Sequence, residues 1–344
     1  MRISDFDFQL PPELIAQEAL PERHRSRMLF VDRSAGAFRD ANFTELPDLL
    51  NEGDVLVLNN TKVFPARLFG QTDTGSNVEI FLVEEIGTGT WECLARPARR
   101  LRKGKRISFG SRLSAEVIDN IGEGRVSVRF GCTGEELMYV LDEIGRTPLP
   151  PYIKRETAGI DQDRDRYQTV FAKRRGAIAA PTAGLHFTPD VLESIRQRNV
   201  TIAEITLHVG YGTFEPVRSE DTAVHTVSPE KYEIDDDTAE LLNTAKLEGR
   251  RIIAVGTTST RALESNLSEH SDFRAGKHLA SLTITPGHTF KAVKALITNF
   301  HLPMSSLLIL TSTFGGHQLI MDAYRHSVAE RYRFYSYGDC MFIV

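Results

Sequence analysis

Two stretches that carry histidine among glycine and threonine follow each other closely around residues 176–212. The first reads Ala179-Ala180-Pro181-Thr182-Ala183-Gly184-Leu185-His186-Phe187 and the second Thr206-Leu207-His208-Val209-Gly210-Tyr211-Gly212-Thr213-Phe214. A third histidine, His301, follows the apolar run Ala295-Leu296-Ile297-Thr298-Asn299-Phe300. Imidazole titrates near neutral pH, so these residues suit general acid or base work. Small neighbours leave backbone N–H groups open to a ligand. The plain alternative is a set of packed histidines in Gly-rich turns, and two such stretches so close together argue against it.

The elements that must position these groups follow from local chemistry. Thr188 is placed to cap a helix, with Pro189 in its first position and Val191, Leu192 and Ile195 on one face through residue 199. Alternation over 200–209 predicts a half-buried strand. His186 then precedes a helix start and His208 ends a strand. Two further apolar runs end in polar groups. Val55-Leu56-Val57-Leu58 leads into Asn59-Asn60-Thr61-Lys62 and on to Arg67, a set suited to an anionic or hydrogen-bonding ligand. Ile252-Ile253-Ala254-Val255 leads into Gly256-Thr257-Thr258-Ser259-Thr260-Arg261 and a helix expected over 262–268. That second turn presents N–H groups and a helix dipole to an anion or carboxylate. Neither a GxGxxG fingerprint nor a GK[ST] loop is present.

Elsewhere, Pro11 and Pro12 are expected to open a helix through Gln17, with a strand at 28–32. A strand or short helix is expected at 167–172, and helices at 238–248 and about 318–331. Residues 66–130 behave differently. Short alternating stretches at 66–70, 77–84, 90–95, 106–109, 113–118 and 125–130 are separated by Gly-containing turns, without helices between them. That spacing predicts a small antiparallel barrel, followed by a helix at 133–144. The expected architecture is a layered α/β domain, residues 1–65 and 150–344, carrying an inserted barrel domain at 66–149.

The 344 residues are 41% hydrophobic and 25% charged, as in ordinary globular proteins. No apolar run approaches a membrane span, and Met1-Arg2-Ile3-Ser4-Asp5 lacks the character of a signal peptide. Cys93, Cys132 and Cys340 are scattered without CxxC spacing, which points away from zinc or disulfides and towards a reducing cytoplasm. Arg96, Arg99, Arg100, Arg102, Lys103, Lys105 and Arg106 crowd one connection of the expected barrel; without these seven, the net charge of −5 would be −12. A cationic cluster on an acidic chain suits a local polyanion contact, with Arg99, Arg100 and Lys103 as its candidates. No heptad seam or long apolar stripe is evident, so a monomer is expected.

Taken together, the stretches 59–68, 148–154, 167–172, 179–187, 207–217, 255–265, 298–303 and 332–339 closely resemble the S-adenosylmethionine:tRNA ribosyltransferase-isomerase family of queuosine biosynthesis. They run nearly end to end and in the family's order. The resemblance implies an α/β domain with a barrel insertion. It also implies transfer and isomerisation of the ribosyl part of S-adenosylmethionine onto 7-aminomethyl-7-deazaguanine at the tRNA wobble position. Adenine and methionine leave, S-adenosylmethionine is consumed as a cosubstrate, and no metal or redox cofactor is implied.

Such chemistry needs a base for the acidified ribose C5′ hydrogens and an acid for departing adenine. His186, His208 and His301 are the candidates, and the sequence leaves their roles open. Tyr211, Phe214 or Glu215 would stabilise the sulfonium. Gly256, Thr257, Thr258 and Arg261 would take the methionine carboxylate. Asn60, Thr61, Lys62, Arg67, Thr182, Gly184, Gly210, Gly212, Thr213 and Asn299 complete the candidate substrate contacts.

The chain departs from the family pattern at His225-Thr226-Val227-Ser228-Pro229-Glu230, where only His225 and Glu230 match. It departs again at 281–285, and at Lys294, where an Asp is usual. A tRNA methyltransferase using the same cosubstrate is the rival enzyme, but it would need a Gly-rich loop after its first strand. A non-enzymatic RNA-binding module would account for the basic barrel and not for three histidine motifs outside it.

Overall fold

A computed structural model describes residues 1–155, 161–210, 217 and 219–344. Its backbone is a nine-stranded mixed sheet that runs, edge to edge, Gly276–Ala280, Glu230–Ile234, Thr201–Leu207, Val55–Asn59, Ile252–Val255, Ala295–Asn299, Cys340–Ile343, Arg27–Asp32 and Ala37–Asn42. Thr201–Leu207, Val55–Asn59, Ile252–Val255 and Ala295–Asn299 are mutually parallel. All five residues of Val55–Asn59 are buried, as a parallel strand covered on both faces requires. Because these four strands are parallel, Asn59, Leu207, Val255 and Asn299 all end on one side of the sheet. The polar motifs that follow Val255 and Asn299 lie there, where open α/β sheets bind ligands. Cys340–Ile343 joins antiparallel to Ala295–Asn299, so the last residues of the chain lie inside the sheet.

Helices cover the faces. Pro189–Arg196 is capped by Thr188, whose Oγ1 accepts the Val191 N–H at 3.3 Å. Asp235 does the same for Asp236–Leu247, accepting the Thr238 N–H at 2.8 Å. Thr257–Glu269 is buried over its first eleven residues and runs through the middle of the layer. Leu263, Phe300, Leu308 and Tyr324 join one hydrophobic cluster, and Leu56, Phe187, Ile195 and Phe342 another.

The inserted unit is a closed barrel of Arg67–Thr72, Asn77–Gly87, Thr90–Arg96, Arg106–Phe109, Leu113–Gly122 and Arg125–Phe130, all paired antiparallel. Alternate residues point inward, so Val78, Ile80 and Leu82 fill the barrel with Cys93, Ile107, Val117 and Val126. The helix Gly134–Ile144 plugs it with Leu137 and Leu141. The six strands expected from alternation are the six observed.

Some expectations changed where tertiary contacts decided. The helix expected through Gln17 is a single 3-10 turn, Pro12–Leu14. The chain then stays extended because Ala16 donates its N–H to Phe334 O at 3.1 Å, finding a backbone partner in the distant C-terminal segment. Residues 167–172 form neither strand nor helix. There the Gln168 side chain takes the place of a strand, accepting the Val63 N–H and donating to Val63 O, both at 3.1 Å. The helix expected at 262–268 already begins at Thr257. Ala37–Asn42, Glu230–Ile234, Gly276–Ala280 and Cys340–Ile343 are strands that the apolar pattern did not indicate.

Candidate active site

A cavity of about 80 Å³ opens at the strand ends, walled by Thr182, Gly256, Thr257, Thr258, Asn299 and His301. Gly256 has φ +94°, a conformation other residues adopt poorly, and this lets the buried strand Ile252–Val255 pass directly into helix Thr257–Glu269. No side chain caps that helix, so its first-turn N–H groups and positive dipole end remain for a ligand. Three tyrosines, Tyr152, Tyr167 and Tyr335, supply aromatic wall. The Tyr152 and Tyr335 ring centroids lie 3.8 Å apart at 75°. The sequence reading missed all three, because each sits in an irregular segment that only the fold brings to the cavity.

His301 lines this cavity. Its Nε2 lies 2.8 Å from Thr298 Oγ1, and its backbone N–H donates to Tyr324 Oη at 3.0 Å. Burial lowers its pKa to about 3, so the imidazole is neutral at physiological pH. His186 stands behind Asn299 rather than in the cavity. It hydrogen-bonds Ser26 Oγ through Nδ1 at 2.7 Å and Asn299 Nδ2 through Nε2 at 3.3 Å. Burial, and then the cations Arg23 and Arg333, lower its pKa to about 3.

His208 is not brought together with the other two. It lies on a wider groove of about 780 Å³ beside Lys231, Glu233, Lys277 and His278. Its Nδ1 is 2.8 Å from Thr61 Oγ1, and burial lowers its pKa. Gly176 packs against the ring so closely that a Cβ there would sit 2.6 Å from Cε1.

The remaining sequence candidates divide in the same way. Thr182, Gly256, Thr257, Thr258 and Asn299 reach the cavity; Asn60, Thr61, Lys62, Arg67, Gly184 and Arg261 do not. Asn60 bonds Glu204 at 3.1 Å and Thr206 at 2.6 Å, Lys62 is exposed, and Arg67 pairs with Glu79 at 2.5 Å. Gly184 packs under Phe171 and Thr169. Arg261 is buried against Glu230 at 2.5 Å and donates to the carbonyls of Ala280, Ser228 and Leu282. Its donors are engaged within the fold, whereas the sequence had suggested a carboxylate clamp. The Gly210 N–H donates to Glu230 Oε1 at 3.3 Å, linking that pair to the end of the second histidine stretch. Gly212, Thr213 and Glu215, with Tyr211 and Phe214, lie outside the described residues.

Among the described residues, no group of three His, Cys, Asp or Glu side chains is placed to hold a metal ion, and no helix is long and apolar enough to cross a membrane.

On the barrel, Arg99 and Arg100 occupy the exposed turn Ala98–Arg100, and Lys103 is exposed just beyond it. Asn120 Nδ2 pins this connection by donating to Ala98 O at 2.9 Å and Leu101 O at 2.8 Å. Of the seven cations, Lys105 is drawn into an ion pair, with Asp73 at 2.7 Å.

Comparison with known proteins decides the family. A model of the family described as queuosine biosynthesis protein matches residues 3–343. The chain belongs to this family. It is 45% identical to the S-adenosylmethionine:tRNA ribosyltransferase-isomerase of Desulforamulus reducens, and 46% identical to the protein of that name from Syntrophotalea carbinolica. Each match covers all of both chains. The crystal structure of an S-adenosylmethionine tRNA ribosyltransferase from Thermotoga maritima is 34% identical and superposes with a TM-score of 0.56, over 99% of this chain and 100% of that one. The family is one of enzymes, and the solved relative shares this chain's overall fold. At 225–230, His225 Nε2 meets Ser306 Oγ at 2.8 Å, and Glu230 holds Arg261.

Proposed function

We propose that this protein transfers the ribosyl unit of S-adenosylmethionine to 7-aminomethyl-7-deazaguanine at the wobble position of tRNA and isomerises it to the epoxycyclopentane of epoxyqueuosine. Adenine and methionine are released. The observation that supports this most is the cavity at the strand ends, where an uncapped helix start, a neutral imidazole and an aromatic wall converge in a chain that matches its family end to end.

In this reading His301 is the proton-transfer residue of the cavity. An imidazole that is neutral at physiological pH has a lone pair free to accept a proton from the acidified C5′, and the negative charge developing at that carbon offsets the imidazolium as it forms. The faces of Tyr152 and Tyr335 attract the sulfonium through their quadrupoles. The exposed Arg99, Arg100 and Lys103 take tRNA phosphates, and the groove beside His208 carries the anticodon loop. Lys231 of that groove pairs with Glu84 on the barrel at 2.7 Å, which ties the edge of the groove to the barrel. S-adenosylmethionine is a consumed cosubstrate and no further cofactor takes part. The chain acts as a cytoplasmic monomer, and sedimentation as a stable dimer at sub-micromolar concentration would remove that part of the reading.

The test is incubation with S-adenosylmethionine and tRNA carrying the aminomethyl-deazaguanine base, followed by nucleoside mass analysis and assay of free adenine. Epoxyqueuosine with stoichiometric adenine is expected. A methylated nucleoside with S-adenosylhomocysteine would overturn the proposal.

A further inference from the structure

The carboxamide of Asn299 is oriented by what surrounds it. One terminal atom meets Tyr335 O at 3.1 Å, Asp339 O at 3.4 Å and His186 Nε2 at 3.3 Å. Carbonyl oxygens only accept, so that atom is the donor nitrogen. The other atom, Oδ1, is buried with no hydrogen-bond partner, on a residue 2% exposed that lines the cavity. Buried amide oxygens are normally paired, so an orphan on a cavity wall marks an acceptor awaiting a donor.

His186 supports this orientation. Its Nε2 accepts from Asn299, so its proton sits on Nδ1 and is donated to Ser26 Oγ at 2.7 Å; Ser26 in turn donates to Arg23 O at 3.4 Å. Burial keeps the ring neutral, which preserves the acceptor at Nε2. One strand over, Gly256 donates its N–H to Ile297 O at 2.8 Å and so sets the start of helix Thr257–Glu269 beside Asn299. Thr257 and Thr258 line the same cavity. A helix start with free N–H groups and a residue with one unpaired acceptor oxygen thus line one cavity, the complement of a carboxylate and an ammonium on a single carbon.

We propose that Asn299 Oδ1 accepts a hydrogen bond from the α-ammonium of the cosubstrate's amino-acid portion, that the helix start at Thr257 takes its carboxylate, and that His186 is a positioning residue holding the Asn299 carboxamide in this sense. The proposal rests on S-adenosylmethionine being the cosubstrate and adds which end of it the cavity reads.

The experiment measures equilibrium binding of four probes: S-adenosylmethionine, its deaminated analogue, its decarboxylated analogue, and the analogue with hypoxanthine in place of adenine. Wild type is expected to bind the deaminated and decarboxylated forms at least about tenfold more weakly than S-adenosylmethionine, since hydrogen bonds to charged groups are among the stronger ones. Asn299→Ala should lose the discrimination against the deaminated form and keep that against the decarboxylated form. His186→Leu should lose it as well, while His186→Gln, whose amide oxygen can still accept from Asn299, restores part of it. A merely structural His186 would lower the melting midpoint of both variants without moving this ratio.

Equal wild-type binding of the deaminated form overturns the proposal, whether or not any variant folds. So does an Asn299→Ala variant that loses discrimination against the hypoxanthine analogue instead. If wild type binds none of the four probes and releases no adenine with tRNA, the cosubstrate reading falls, and this proposal with it.

Discussion

The barrel and the strand-end cavity hold their polar groups in opposite ways. On the barrel connection, Arg99, Arg100 and Lys103 stand in solvent, where charge is cheap to maintain and acts over about a Debye length. In and behind the cavity wall, His301, His186 and Asn299 are each under 10% exposed, neutral, and fixed by hydrogen bonds of 2.8, 2.7 and 3.1 Å. The first arrangement attracts a polyanion from a distance and tolerates substitution. The second offers groups already desolvated and aimed, and a lost atom there has no water to replace it.

The contrast breaks most visibly at the cavity. His301→Ala is expected to reduce single-turnover rate by roughly 10²–10⁴-fold with binding of either substrate little changed. His208→Ala, in the separate groove, is expected to cost less than about tenfold. Equal effects of the two would show that the cavity is not where the proton moves.

Acid is the next lever. His186 and His301 are held neutral in the fold, with pKa values lowered to about 3. In the unfolded chain they bind protons below about pH 6.5. Their contribution is therefore intact above that pH and is lost as pH falls from about 6.5 towards 3. That loss amounts to about 2 kcal/mol per histidine at pH 5. Denaturant titration between pH 7 and 5 measures it, and the loss should shrink in His186→Gln.

At the barrel, reversing Arg99, Arg100 and Lys103 to Glu should weaken tRNA binding by about 10²-fold at low salt and flatten the salt dependence by about two to three in log–log slope. S-adenosylmethionine binding should not change. Unaltered tRNA affinity at low salt would make the cluster a solvated face only. The smallest effect is expected for Asn120→Ala, which frees the basic connection from its two carbonyl anchors: about 1 kcal/mol of stability and a few-fold in tRNA affinity, by thermal unfolding and filter binding.

How well each region could be read from the sequence follows the same division. The barrel was legible strand by strand because its signal is local: alternation such as Val78, Ile80, Leu82 inward with Glu79 between them, punctuated by turn glycines. The parallel core strands were legible for a similar reason, as apolar runs ending in Asn59, Gly256 and Asn299. Glu230–Ile234 and Gly276–Ala280 escaped because they are polar strands outside the parallel core, stabilised by the neighbour they pair with rather than by their own composition. Within the site, the sequence named His186, His208 and His301 alike. It had no means of knowing that a sheet end would put His301 in the cavity, His186 behind Asn299 and His208 in another groove. Arg261 shows the same limit: a cation after a Gly-Thr-Thr turn looks free to bind an anion until Glu230, a residue thirty-one positions away, is found against it.

By itself, then, the sequence determined the barrel strands, the parallel core strands, the family, and the groups that could do chemistry, since periodicity, capping residues and side-chain pKa ranges are properties of neighbours along the chain. Only the tertiary structure decided which of those groups are desolvated, which are already partnered, and which face one another. Burial and hydrogen bonding join residues as distant as Ser26, His186 and Asn299, and it is their meeting that leaves one carboxamide oxygen unpaired at the cavity wall.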